Sequence, residues 1–155
     1  MHIFWYRRDL RTFDNTALHH ALEENKEVQP IFIFDKNIVE ELESNDARIN
    51  FIYTHLHKID LELKKYGSSL KVYYGNPIDV FREICRKVTV DSVYTNHDYE
   101  PYATNRDLGV KEVLQDFGVP FSTFKDQVIF ERDEVVKNDG KPYTVFTPFK
   151  NRWLL

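Results

Sequence analysis

The stretch that decides the fold is Phe4-Trp5-Tyr6-Arg7-Arg8-Asp9-Leu10-Arg11, followed closely by Asp14-Asn15-Thr16-Ala17-Leu18. It reads as an apolar strand, a charged turn and the beginning of a helix, with Asp14 expected at the helix N-cap. A glycine-rich phosphate loop would stand at this place in many α/β proteins, but the first glycine of this chain is Gly67. The segment therefore predicts a strand-turn-helix unit whose turn is made of charged side chains.

Short apolar runs that favour β-strands recur along the chain, with helical patterns between them. The runs occur at Ile3–Tyr6, Val28–Phe34, Leu70–Tyr74, Ser92–Thr95 and Val119–Phe124. Strands that alternate with single helices need right-handed crossovers. We therefore expect a doubly wound α/β fold, with about five parallel strands and helices on both faces of the sheet. Within the sheet, we expect four side chains to be buried: Trp5, Ile33, Val72 and Val93.

Apolar residues at helical spacing predict helices over about 46–65 and 103–116. In the first, Tyr53 belongs to the apolar pattern, and Phe117 is expected to face inward at the end of the second. Asn76-Pro77 predicts the start of another helix, because proline is favoured at the first helical position.

Two polar loops are expected to meet at one crevice. Ligands of doubly wound sheets bind beyond the carboxyl ends of the strands, at the point where the strand order reverses. With the order 3-2-1-4-5, this point lies between strands 1 and 4, where the loops 7–14 and 96–106 arrive.

The first loop places Arg7, Arg8, Asp9 and Arg11 within five residues. Guanidinium groups donate in pairs to carboxylates and phosphates, so the loop could hold an anion. The alternative is an internal ion-pair network in which Asp9 or Asp14 neutralises one of the arginines. Both interpretations remain open at this point.

The second loop offers His97, Asp98 and Glu100, any of which could act as a general base. A nucleophile elbow of the Gly-x-Ser-x-Gly type is missing from the sequence, so a ligand-framing or helix-entry role is favoured over catalysis. We expect no catalytic residue here. The Gly-x-Gly-x-x-Gly pattern of dinucleotide-binding enzymes is also missing.

The histidines do not form a pattern that predicts a metal site. His55 and His57 stand two positions apart on a predicted helix and point in different directions, and the adjacent His19 and His20 cannot converge either. No metal is expected.

The overall composition indicates a globular protein of 155 residues with a net charge of −4. This charge argues against direct binding of this chain to a nucleic-acid backbone, because such binding usually needs a basic protein surface. One cysteine and no apolar run long enough to span a membrane lead us to expect a cytoplasmic protein without disulfides or membrane contact.

Three segments together resemble the amino-terminal α/β domain of the DNA photolyase and cryptochrome family. They are the opening segment, then Tyr99-Glu100-Pro101 with Arg106-Asp107, then Pro142-Tyr143-x-Val145-Phe146-Thr147-Pro148-Phe149 with Trp153. The resemblance is to class I-like cyclobutane pyrimidine dimer photolyases. It implies an antenna-binding domain over 1–135 and an aromatic lead-in over 136–155 to a carboxyl-terminal helical domain that holds FAD.

The resemblance implies a protein that repairs cyclobutane pyrimidine dimers in DNA by blue-light-driven electron transfer from FAD. Its partners would be its own FAD domain and damaged DNA, and the present chain would gather light without being an active lyase alone. A blue-light photoreceptor cryptochrome is the second interpretation. A free-standing nucleotide-binding α/β module is the third.

The resemblance also implies which residues hold the antenna chromophore and which face the other domain. The expected antenna pocket is formed by Asp35, Lys36, Arg48, Phe51, Asp98 and Glu100. Family members that use reduced folate have an Asn-Glu pair where this chain has Tyr102-Ala103, which favours deazaflavin or FMN. Arg48 as a solvated helix residue and an empty pocket remain open alternatives. The residues expected to shape the crevice and brace the two-domain interface are Arg7, Arg8, Asp9 and Arg11.

Overall fold

A computed structural model describes residues 1–131 and 133–155 of the chain. In this part of the chain the strands are β1 (His2–Tyr6), β2 (Val28–Asp35), β3 (Lys71–Gly75), β4 (Ser92–Asn96) and β5 (Phe121–Phe124). The helices are α1 (Thr16–Glu24), α2 (Lys36–Val39), α3 (Ala47–Lys64), α4 (Pro77–Lys87), α5 (Pro101–Asp116) and α6 (Phe146–Trp153). Each predicted strand is present, with bounds that differ by at most two residues.

The strands form one parallel sheet in the order β3-β2-β1-β4-β5. The predicted doubly wound α/β fold is confirmed, including the reversal of strand order between β1 and β4. β1 lies at the centre, where it pairs with β2 along its whole length and with β4 over residues 2–4.

Two apolar cores cover the two faces of the sheet. On one face, Trp5 and Val93 pack with Phe81 of α4 and Leu114 of α5. The other core is formed by alternate strand residues and by α1 and α3: Phe4, Tyr6, Phe32, Tyr94, Leu18, Ala21, Leu56 and Ile59. The alternation of side chains along each strand therefore divides the apolar residues between two helical layers.

The beginning of α1 differs from the prediction by one residue. Asp14 has a φ of 48°, which is unusual for a side chain other than glycine. Asn15, in extended conformation, is the N-cap, and its side chain accepts a hydrogen bond from the Leu18 N–H. Asp14 as N-cap was therefore wrong. The predicted start of α4 is confirmed, with Asn76 as N-cap and Pro77 in the first turn.

Three apolar residues expected inside are exposed. Val72 is 49% exposed because β3 is an edge strand. The buried residues of α3, Leu56 and Ile59, pack in the core over β1 and β2 and leave Val72 uncovered. Tyr53 (67% exposed) extends from the solvent side of α3, and Phe117 (43%) is the C-cap residue of α5. The other three residues predicted to be buried in the sheet are confirmed: Trp5, Ile33 and Val93.

The chain after β5 contains α6, whose Trp153 ring contacts the Phe130 ring edge to face at 5.5 Å. Phe146 and Leu154 are largely exposed. Among the described residues, none of the helices is both long and apolar enough to cross a membrane.

Candidate functional site

A cavity of about 870 Å³ opens at the carboxyl ends of β1 and β2. The ends of these strands, the first turns of α3 and α5, and the α2 segment form its wall. Phe32, Ile38 and Ile52 are among the apolar side chains that line it. A largely apolar cavity of this size, with a few polar groups, is typical of sites for small ring-bearing ligands.

Five of the six residues predicted to form the antenna pocket line this cavity: Asp35, Arg48, Phe51, Asp98 and Glu100. Lys36 is not part of the lining and instead pairs with Glu40 on the surface at 3.5 Å. The structure therefore brings together residues that lie up to 65 positions apart, and it leaves Lys36 outside.

Asp35 is the buried acid of the cavity. It ends β2, caps α2 by accepting from the Asn37 N–H, and accepts from the Tyr102 hydroxyl at 2.7 Å. Burial and the bond to Asp35 raise the pKa of Tyr102, so this phenol stays protonated and remains a donor. A carboxylate held in this way retains acceptor capacity for an N–H or O–H group of a ligand.

Arg48 and Phe51 stand at the rim. The Arg48 guanidinium is largely exposed and binds Asp46 at 2.6 Å. The side chain and the backbone N–H of Arg48 both donate hydrogen bonds to Asp46, and these bonds lower the pKa of Asp46 to about 2. The Phe51 ring is also exposed and lies 4.0 Å from the His55 ring, centroid to centroid. Arg48 thus already has a carboxylate partner, and a bound anion would have to compete with Asp46 for it.

The two loops of the predicted crevice are joined by ion pairs. Arg8 donates to Asp98 at 3.3 Å and to Glu100 at 2.9 Å. Arg11 donates to Asp126 at 2.7 Å and to the backbone oxygen of Asp14.

Among the described residues, Asp9 forms no ion pair with an arginine side chain. It accepts from the Arg7 N–H and from the side-chain amides of Asn15 and Asn96 at 3.0 and 2.6 Å. The charged turn is therefore an internal network, but the carboxylates that neutralise Arg8 and Arg11 come from other loops and not from Asp9 or Asp14.

A buried cluster at the cavity floor was not found by reasoning from the sequence. Arg7 and Arg106 both bind Asp107, and each places its guanidinium carbon 5.1 Å from the centroid of the Trp5 ring. Burial lowers the pKa of Arg7, although Asp107 opposes this effect. The signal in the sequence is the Arg106-Asp107 pair, which belongs to the segments that resemble the photolyase and cryptochrome family.

A second cavity, of about 490 Å³, lies between β4, β5 and α5. His97 contacts Glu131 through Nδ1 and the Thr123 hydroxyl through Nε2, and the Tyr99 hydroxyl donates to Glu131. Burial raises the pKa of Glu131, but the hydrogen bonds from His97 and Tyr99 outweigh it and leave the pKa lowered. Both nitrogens of His97 are thus engaged in contacts within the protein.

The arrangement as a whole defines a class: a doubly wound domain with a ring-sized cavity at the carboxyl edge of its sheet. Such domains bind nucleotide-like or flavin-like ligands at this place. The sequence model of the DNA photolyase family, described as "DNA photolyase", matches residues 2–155. The chain belongs to the DNA photolyase family.

Individual relatives agree. A deoxyribodipyrimidine photo-lyase of Halobacterium salinarum is 33% identical over 162 residues, which cover 99% of this chain and 33% of that protein. Cryptochrome-1 of Sylvia borin is 26% identical over 149 residues, covering 96% of this chain and 24% of that protein.

The crystal structure of an archaeal photolyase from Sulfolobus tokodaii is similar with a TM-score of 0.75 and 32% identity. The match covers 97% of this chain and 33% of that one. That photolyase holds two FAD molecules, which implicated a novel light-harvesting cofactor. The chain thus spans a third or less of each of these three proteins.

Proposed function

We propose that this chain is the light-harvesting domain of a deoxyribodipyrimidine photolyase. The observation that carries the proposal is the cavity of about 870 Å³ at the edge of the sheet in a chain of the photolyase family. The whole protein would repair cyclobutane pyrimidine dimers in damaged DNA with electrons from FAD in a carboxyl-terminal domain, as a carbon-carbon lyase.

The antenna that the cavity suits best is deazaflavin or FMN rather than reduced folate. The chemistry that such a group supplies when bound is absorption of blue light and transfer of the excitation. Asp35 would accept a hydrogen bond from the ring edge, and the exposed Phe51 would stack on the ring. Arg48 would attract an anionic tail, in exchange for part of its pairing with Asp46. Tyr102, held by Asp35, occupies the place where folate users have a polar pair.

The chain is best divided into an antenna domain over 1–135 and a lead-in over 136–155. Val135 is buried, whereas Val145, Phe146 and Leu154 are exposed apolar residues in and around α6. Exposed apolar side chains at both ends of one helix favour a surface for a protein partner, which we assign to the FAD domain. Four residues of the charged turn would brace the interface with the FAD domain, mainly by shaping the crevice: Arg7, Arg8, Asp9 and Arg11.

The proposal is tested by titrating the chain with FMN, a deazaflavin and a reduced folate, with fluorescence anisotropy as the readout. We expect binding of the first two and weaker binding of the folate. Arg48→Gln should weaken the binding of FMN about 5- to 10-fold, in line with one exposed charge-assisted contact. Arg82→Gln is the matched control, because Arg82 pairs with Asp79 on the exposed side of α4.

Two results would contradict the antenna assignment. One is failure of all three ligands to bind, and the other is binding that Asp35→Ala and Phe51→Ala leave unchanged. The lyase activity needs a separate test, in which a longer chain that includes the following domain is supplied with FAD, blue light and irradiated DNA. FAD uptake without repair would favour a cryptochrome photoreceptor, the second candidate, for which the similarity to the Sylvia borin protein is the supporting observation.

A further inference from the structure

Trp5 is the only tryptophan among the described residues that line the cavity. Its side chain is 2% exposed, lines the cavity and contacts the Phe81 ring edge to face at 5.0 Å. A light-absorbing ring in the cavity would lie close to this indole. Indoles are the side chains most easily oxidised by one electron, and photo-excited flavin-type rings are strong one-electron oxidants. An indole in this position would therefore be expected to quench an antenna.

The surroundings of Trp5 oppose such a transfer. The guanidinium carbons of Arg7 and Arg106 both lie 5.1 Å from the ring centroid, within the range of cation–π contacts. Both side chains are more than nine-tenths buried, at 7% and 8% exposure. Guanidinium groups remain charged under all ordinary conditions, so the indole has two fixed cations beside it.

The neutralising charge near this pair is incomplete. Both guanidinium groups share the one carboxylate of Asp107, which binds Arg7 through one oxygen and Arg106 through the other. Asp98 also acts on Arg7 at longer range, but it is paired with Arg8. Within the part of the chain that the structure describes, the Trp5 ring is thus in contact with two cations that directly bind a single anion.

We propose that Arg7 and Arg106 make Trp5 a poor electron donor, so that a ring bound in the cavity keeps its excitation. This inference rests on the proposed function. In the transfer that is suppressed, the indole would lose one electron and the excited ring would gain it, leaving Trp5 as a cation beside two other cations. Repulsion at about 5 Å in a buried site makes this product unfavourable. Arg7 and Arg106 are positioning residues in this sense, since they act through Trp5.

The first test needs no bound chromophore. Azide radicals generated by pulse radiolysis oxidise indoles, each radical taking one electron to become azide, and the indole cation then releases its N–H proton to water. The chain has two tryptophans, so Trp153→Phe leaves Trp5 as the only source of the tryptophanyl absorption. In that background we expect Arg106→Met to raise the yield of the Trp5 radical about fivefold, because one cation is removed.

Variants separate charge from packing. Arg106→Lys keeps the cation and should restore the low yield, whereas Arg82→Met removes an arginine that pairs with Asp79 and should have no effect. Arg7→Met is an independent test with the same expected rise, and it decides the matter if Arg106→Met does not fold. Wild-type yields in a folded Arg106→Met or Arg7→Met chain would overturn the inference.

The second test uses FMN as the probe and fluorescence lifetime as the readout. With FMN bound, Arg106→Met should shorten the lifetime about fivefold, and adding Trp5→Phe should restore it. A lifetime that Arg106→Met leaves unchanged would overturn the inference. Failure of FMN to bind at all would count against the proposed function instead, and the radiolysis experiment would still decide whether the arginines control the oxidation of Trp5.

Discussion

The side chain of Asn96 makes three hydrogen bonds that hold the crevice together, so we expect a substitution here to be destabilising. It ends β4, is 4% exposed, and its side-chain oxygen accepts from the Ala17 N–H at 2.9 Å. Its side-chain nitrogen donates to Asp9 at 2.6 Å and to Asn15 at 2.8 Å. One amide therefore connects the end of β4 with the charged turn and with the first turn of α1.

The cost of Asn96→Ala follows from the groups that lose their partners. The Ala17 N–H is buried and would have no acceptor, at about 1–3 kcal/mol. Asp9 would lose one of its donors, and a hydrogen bond to a charged group contributes about 1.5–3 kcal/mol. We expect a loss of about 3–5 kcal/mol in the free energy of unfolding, which for a chain of this size lowers the melting temperature by roughly 10 °C.

Urea unfolding followed by circular dichroism measures this loss, with the slope m as a check that the denatured state is unchanged. Asn105→Ala is the matched control, since Asn105 is exposed on α5, and it should change stability by less than about 0.7 kcal/mol. In a double-mutant cycle with Asp9→Ala, the coupling energy should be about 1–3 kcal/mol. If Asn96→Ala unfolded within about 0.5 kcal/mol of the wild type at the same m, the network would not stabilise the crevice as described.

Further predictions concern the core, a helix contact and one exposed ion pair. Trp5→Ala should lower the free energy of unfolding in urea by about 3–5 kcal/mol. Wild-type-like melting of this variant would show that Trp5 of β1 is not buried in the core. Gly109→Ala brings a Cβ to within 2.5 Å of Ile78 Cδ1, so the end of the Ile78 side chain must rotate away at about 0.5–1.5 kcal/mol, which offsets the gain of about 1 kcal/mol from alanine in a helix. The variant should unfold within about 1 kcal/mol of the wild type, and the substitution should become stabilising in an Ile78→Val background. The Asp46 carboxyl should titrate near pH 2 by NMR and move upward in Arg48→Ala. Because folding lowers the pKa of Asp46, the carboxylate stabilises the fold above its ordinary pKa, and this stabilisation is lost as the pH falls through about 2. An NMR titration midpoint of Asp46 that is the same in Arg48→Ala would contradict the pairing.

The general architecture was predictable because the strands and helices alternate without interruption. That alternation restricts the connections to right-handed crossovers, and the strand order then places the loops after β1 and β4 at one edge. Side-chain exposure was less predictable. Val72 has the apolar character of a buried strand residue, and only the position of β3 at the sheet edge makes it exposed.

Details within the site depended on geometry that a linear pattern does not contain. Asp14 and Asn15 are both good N-cap residues, and the choice between them is made by backbone dihedrals. The partners of Arg7 and Arg8 lie in the loop after β4 and in α5, so local charge balance pointed to the wrong carboxylates. Lys36 follows Asp35 directly but lies off the cavity, because α2 turns its side chain towards Glu40.

The charged turn also has a consequence for the order in which the chain acquires its structure. Arg7, Arg8 and Arg11 bind side chains between 90 and 115 positions further along the chain. The turn is therefore synthesised well before its partners and can be completed only after β4, α5 and the segment beyond β5 have formed. Contacts of such long range carry a large loop-closure cost and tend to form late in folding. Weakening these ion pairs should therefore speed unfolding far more than it slows folding. The turn thus stabilises the folded domain after the transition state and is not part of the folding nucleus.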